Sequence, residues 1–175
     1  MKILAAVQVL ALLASFGGRP RLEHTRIESP PDSVIAYPGG YRRWTRVSSA
    51  LVGPQNAGFA ANGGIHHIYA NDKAIEGYLN GRFPDGAVIV ADFLLTQENA
   101  GVTTEGARRR IDVMVKDSKR FGASAGWGFE QFSGDSQTNR LVTPAKAASC
   151  LACHSQRKDK DYVFSVFRSD ESRRQ

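Results

Sequence analysis

Arg110-Ile111-Asp112-Val113-Met114-Val115-Lys116 alternates without a break, with Ile111, Val113 and Val115 on one side and Arg110, Asp112, Met114 and Lys116 on the other. A period of two is what an extended chain with one buried face produces, because successive side chains leave a strand on opposite sides. The stretch therefore reads as an antiparallel strand with one wet face. Working outward, Trp44 to Val52 sets Val47, Ser49 and Leu51 against Arg46, Ser48 and Ala50, a second strand with one buried face. Gly63-Gly64 is a turn signal before a third strand, Ile65 to Ala70. Ala87 to Leu95 is apolar apart from Asp92 and reads as a strand buried on both faces. Gly126 to Phe132 reads as a further short strand, with Trp127, Phe129 and Gln131 sharing a side.

Two helices fit between these strands. Asn71 is a good N-cap for a helix through Ala74, Ile75, Tyr78 and Leu79, and Gly81 is placed to end it. Pro84-Asp85-Gly86 follows as a turn. Thr143 and Pro144 suit the N-cap and first position of a second helix, which runs into a pair of cysteines. Tyr162 to Phe167 packs apolar side chains in a conformation the pattern leaves open. The expectation is a mainly β (α+β) domain, an antiparallel β-sheet with a few short helices, and the pattern shows no internal repeat.

The chain has 175 residues, 42% hydrophobic and 23% charged, which is ordinary globular usage and argues against disorder or a collagen-like repeat. Met1-Lys2 and an apolar run from Ile3 to Phe16, broken by Gln8 and Ser15, read as a secretory signal peptide too short for a comfortable bilayer span. Residues 1–17 are assigned to this leader, 18–40 to an extended arm rich in Pro and Gly, 41–168 to the folded domain and 169–175 to a polar tail. Export, with no membrane span in the mature form, is the expectation. The net charge of +6 is scattered and interrupted by acids, so it reads as solvated surface, and export argues against nucleic acid as a partner.

Cys150-Leu151-Ala152-Cys153-His154 is the C-x-x-C-H pattern of c-type haem attachment. Two thiols at this spacing can add to the two vinyl groups of one haem, with the next imidazole reaching the iron. A thioredoxin-like pair belongs in an α/β setting, a zinc site lacks ligands at finger spacing, and a plain disulfide leaves His154 unexplained. The reading is one haem c per chain, attached through Cys150 and Cys153 and ligated by His154. No Met follows His154, so a late methionine ligand is excluded. His66 and His67 point to opposite faces of their strand, so at most one can face a haem. With Met114 they are the candidates for a sixth ligand in an alternative reading, an electron-transfer cytochrome. The favoured iron is five-coordinate with an open face.

Further stretches carry a resemblance: Tyr41-Arg42-Arg43-Trp44-Thr45, Gly64 to Asn71, Gly81-Arg82-Phe83-Pro84-Asp85-Gly86, Val113 to Asp117 and Gly126 to Glu130, together with the cysteine motif. In these the chain resembles the cytochrome P-460 family and its relative cytochrome c′-beta. The resemblance implies an antiparallel β fold, a homodimer, a periplasmic location and a haem with a vacant distal site. It also separates the chain from ordinary cytochrome c′, a four-helix bundle. Within the group, the P-460 type oxidises hydroxylamine and carries a lysine bonded to the porphyrin edge. The c′-beta type lacks that bond, shields the iron with aromatic rings and binds nitric oxide or carbon monoxide.

If the chain is of the P-460 type, the resemblance implies a cross-linking lysine, for which Lys73 is the candidate and Lys116 and Lys146 the alternatives. The aligned positions of the distal cap are Asn62 and Ala91, which carry no ring, with Phe59 and Phe93 close by. Hydroxylamine oxidation needs a distal proton acceptor, for which Asp92 and Glu130 are the candidates, and an electron-accepting partner such as another cytochrome.

Overall fold

The computed structural model describes residues 34–168. The expected leader, most of the N-terminal arm and the polar tail lie outside the described residues. Five strands, β1 (Thr45–Val52), β2 (Gly64–Ala70), β3 (Val88–Asn99), β4 (Val102–Lys116) and β5 (Trp127–Ser133), form one sheet in sequence order. Every neighbouring pair is antiparallel. Among the described residues two α-helices interrupt this meander, the single turn α1 (Phe59–Asn62) and α2 (Asp72–Asn80), and a third, α3 (Pro144–His154), follows it.

Local chemistry explains the boundaries. The Asn71 side chain accepts from the Ala74 N–H at 2.9 Å and the Val88 N–H at 3.0 Å and donates to the Gly86 carbonyl at 2.9 Å. One residue thus caps α2 and ties it to the start of β3. Gly81 ends α2 at φ +73, the left-handed conformation that glycine adopts without steric cost. Thr143 caps α3, with Pro144 just inside it.

The sheet is covered on both faces, and each face has its own core. On one lie Ala70, Ile89, Met114, Trp127 and Val163 with Ala74 and Phe83. On the other lie Tyr69, Val90, Ile111, Val113 and Phe132, closed over by Ile35 and Tyr41 from the segment before β1. The described end of the expected arm is therefore packed, with the Ile35 carbonyl accepting from Arg140 Nη1 at 2.6 Å.

Two faces differ from expectation. A bulge between Arg46 and Ser48 gives β1 an extra residue, so Val47 packs in the core while Leu51 is 62% exposed. A bulge reverses the alternation beyond it, which is why Val47 and Leu51 do not share a buried side. The expected wet face of β4 is not wet at its end, where Met114 is 9% and Lys116 8% exposed. Both faces of β4 are covered because helices and the C-terminal segment lie across the side that alternation assigned to water. The hairpin of β3 and β4 also runs beyond Leu95 and before Arg110, turning at Ala100 and Gly101 with φ of 49 and 79.

Candidate haem site

Cross-strand register places three rows of side chains on the helix-covered face: Ala50, His66, Phe93 and Arg110; then Ser48, Ile68, Ala91, Asp112 and Gln131; then Ala70, Ile89, Met114 and Phe129. Between these rows, α3 and the C-terminal segment is a cavity of about 360 Å³. That volume lies in the range of pockets that take a compact ligand. The small side chains of Ala50 and Ala91 leave the room, and the wall is mainly apolar.

Cys150 and His154 line this cavity, and both cysteines are free. On α3 the spacings of three and four residues put Cys150, Cys153 and His154 on one side of the helix. The His154 Nδ1–H donates to the Tyr162 carbonyl at 2.7 Å. A carbonyl only accepts, so the proton sits on Nδ1 and Nε2 keeps its lone pair for a metal. Phe129 and Phe164 flank the ring at 5.1 and 5.2 Å. Burial lowers the imidazole's pKa, favouring the neutral form that ligation requires.

Asp112 is a charged group of the wall. Arg110 Nε donates to its Oδ1 at 2.7 Å and Arg110 Nη2 to its Oδ2 at 3.2 Å. Burial nonetheless raises its pKa above the usual carboxylate value, outweighing Arg110, which pulls the other way. Gln131, its cross-strand neighbour, buries Oε1 without a hydrogen-bond partner. A carboxyl and an unpaired amide oxygen in a mainly apolar wall, beside His66 and the hydroxyls of Ser48 and Ser165, suit a small polar ligand.

Residues 38–165 match the family described as Cytochrome P460. The chain belongs to the cytochrome P460 family. No curated protein matches it. Membership makes it a c-type haem cytochrome, and the cavity fits that group: the Cys150 thiol and an imidazole with a free Nε2 line a mainly apolar chamber, with the free, exposed Cys153 beside them on α3.

The structure separates the other candidate residues of this cytochrome. Asp92 is not in the cavity. Its row is His67, Asp92, Ile111 and Phe132, on the opposite face of the sheet. There it is fully buried and accepts from Tyr41 Oη at 2.7 Å, Arg42 Nε at 3.0 Å and Arg108 Nε at 2.7 Å. Glu130 borders the cavity through the strand, but its register partner is Val113 and its carboxylate accepts from Arg140 Nη1 at 2.7 Å. Asp112, assigned by alternation to a wet face, holds the place proposed for these two.

Lys73 is exposed and pairs with Glu76 at 3.2 Å, away from the lining. Lys116 is committed to Asp161 at 2.8 Å. Lys146, one turn before Cys150, is near enough to lower the pKa of Asp112 and Cys150 slightly but does not line the cavity. Ala91 lines it, whereas Phe59 and Asn62 sit on α1. Asn62 acts through others: its carbonyl accepts from His66 Nε2 at 2.5 Å and its Oδ1 from Arg110 Nη2 at 2.9 Å. Of the two phenylalanines near the expected cap, Phe93 lines the wall, its ring tilted against His66 at 4.1 Å between centroids and capped by the Arg110 guanidinium at 3.9 Å.

Proposed function

We propose that this is an exported cytochrome carrying one haem c, bonded to Cys150 and Cys153 and ligated by His154, whose open face binds nitric oxide or carbon monoxide. The observation that carries the reading is the His154 ring, locked by the Tyr162 carbonyl with its ligating nitrogen left free beside the cavity. When bound, the haem supplies an iron that takes a diatomic ligand and exchanges electrons.

The chain's own groups support five-coordination. His67 faces the other side of the sheet, bridging Ser49 Oγ and Glu105 Oε1, each at 2.7 Å. His66 lines the cavity but engages Nε2 with the Asn62 carbonyl and packs its ring against Phe93. Met114 shares its row with Phe129, the ring against His154, and so stands at the proximal end. Among the described residues no lysine lines the cavity, which favours the gas-binding type over one with a lysine bonded to the porphyrin.

One observation favours a second reading, hydroxylamine oxidation with electrons passing to an acceptor cytochrome. Asp112 is a half-buried carboxyl in the wall, with a pKa raised by burial, and such a group can take a proton from a ligand N–H or O–H. Absorption spectra of the purified holoprotein test both. The expected result is a high-spin c-type spectrum with an ordinary Soret position that changes on adding nitric oxide or carbon monoxide. A red-shifted ferrous Soret band together with hydroxylamine turnover would favour the second reading, and a low-spin six-coordinate spectrum would refute both.

A further inference from the structure

The carbonyl that orients His154 belongs to an unusual piece of backbone. Asp161 and Tyr162 follow the 3-10 turn Ser155–Lys160 and both have positive φ, 48 and 68, which L side chains with a Cβ adopt only at some steric cost. Such a kink persists where its surroundings over-determine it. Here Asp161 is held at three atoms. Its Oδ1 accepts from Lys116 Nζ at 2.8 Å, its Oδ2 from the Phe83 N–H at 2.9 Å, and its backbone carbonyl from Trp127 Nε1 at 2.9 Å. Lys116 and Trp127 are themselves buried at the far end of the sheet, and Lys116 Nζ also donates to the Ala125 carbonyl at 3.1 Å. The Tyr162 N–H closes the loop on the Arg157 carbonyl at 2.8 Å.

We propose that Asp161 is a positioning residue for the proximal ligand: clamped to Lys116, Phe83 and Trp127, it fixes the left-handed kink that holds the Tyr162 carbonyl against His154 Nδ1. The clamp transmits the rigidity of β4 and β5 to the imidazole. A firm acceptor on Nδ1 fixes ring orientation and strengthens Nε2 as a donor to the metal. This rests on ligation by His154, as proposed above.

The test is the iron–histidine stretching band of the ferrous holoprotein, read by resonance Raman. Asp161→Gly keeps the left-handed backbone accessible while removing the carboxylate, so loss of the clamp is separated from loss of the kink. The band should broaden and move to lower frequency, because Nδ1 loses a fixed acceptor. Lys116→Met, which removes one arm, should shift it in the same direction by less. Asp161→Asn tolerates the left-handed region and keeps an acceptor for Phe83, so it should restore most of the wild-type band. If Asp161→Gly fails to accumulate, Lys116→Met decides. A band unchanged in frequency and width in the variant that folds, with haem fully attached, overturns the proposal. Absence of any iron–histidine band from a wild-type ferrous protein whose absorption spectrum is five-coordinate and high-spin overturns the ligation by His154 itself, and this inference with it.

Discussion

Two aspartates at homologous-looking places in adjacent strands are expected to behave oppositely when mutated, because register puts them on opposite faces of the sheet. Asp92→Ala removes a fully buried carboxylate that pairs with Arg42 at 2.8 Å and Arg108 at 2.7 Å and accepts from Tyr41. Breaking one partner out of a buried ion pair costs about 3–5 kcal/mol. The Arg42 side chain, 45% accessible, can return to water, which argues for the lower part of that range, but the Arg108 side chain is only 13% accessible. Tyr41 adds a buried hydroxyl without its acceptor, about 1–3 kcal/mol. A net loss of about 4 kcal/mol follows, which for a chain of this size lowers the thermal midpoint by roughly 8–16 °C. Affinity for nitric oxide should stay at the wild-type value, since Asp92 does not reach the cavity. Asp112→Asn should do the reverse: it removes a charge that burial disfavours, so stability should hold or rise slightly, while the ligand complex changes its affinity and spectrum. Calorimetry and gas titration of the two holoproteins measure both quantities. An Asp92→Ala protein that melts with the wild type yet no longer binds ligand would refute the two-face assignment.

The same two residues carry a pH dependence of opposite sign. Burial is outweighed by hydrogen bonds from Arg108, Tyr41 and Arg42, which hold the Asp92 pKa below its ordinary value, so its contribution to stability is fully present above the ordinary value and lost as the pH falls through the lower native pKa. Asp112 is raised by burial, so its contribution is present below the ordinary value and lost as the pH rises through its native pKa. In urea titrations between about pH 3 and 7, Asp92→Asn should therefore flatten the acid limb and Asp112→Asn should steepen the gain toward neutrality. Asn71→Ala removes three hydrogen bonds that join α2 to β3 and should cost about 2–3 kcal/mol, seen as a lower urea midpoint at unchanged slope.

What the sequence made legible is what local chemistry decides. Asn71 and Gly81 bracket α2, and Thr143 with Pro144 opens α3, because caps act through bonds to residues three or four places away. The strand period of β4 likewise requires only steric alternation. Less legible were features set by distant partners. Alternation shows that Arg110, Asp112, Met114 and Lys116 share a side, but not what covers it, and charge at three of four positions made water the natural reading. The bulge in β1 has no Gly or Pro to mark it. The outer β3–β4 hairpin, exposed on both faces from Leu95 to Thr104, has no buried set to impose a period. The signal that could have found Asp112 was the mixture on that strand face, an apolar Met114 between charges, which a purely solvated face has no reason to carry.

That mixture also explains why one strand serves both halves of the site. Along one side of β4, Arg110 ties the α1 cap through the Ala61 carbonyl at 2.9 Å and holds Asp112 in the cavity wall; Met114 packs the proximal end; and Lys116 clamps Asp161 behind His154. A strand is stiff along its length and repeats a side every two residues, so these four groups sit at fixed spacing from the ligand-side cap to the loop that orients the imidazole. Buried charge is costly, and each one here is paired: Arg110 with Asp112, Lys116 with Asp161. The cost is better explained by placement than by stability, since apolar residues would fill the same face without the desolvation penalty. Replacing the strand's charges by hydrophobes should thus keep the sheet while releasing both the cavity wall and the proximal loop.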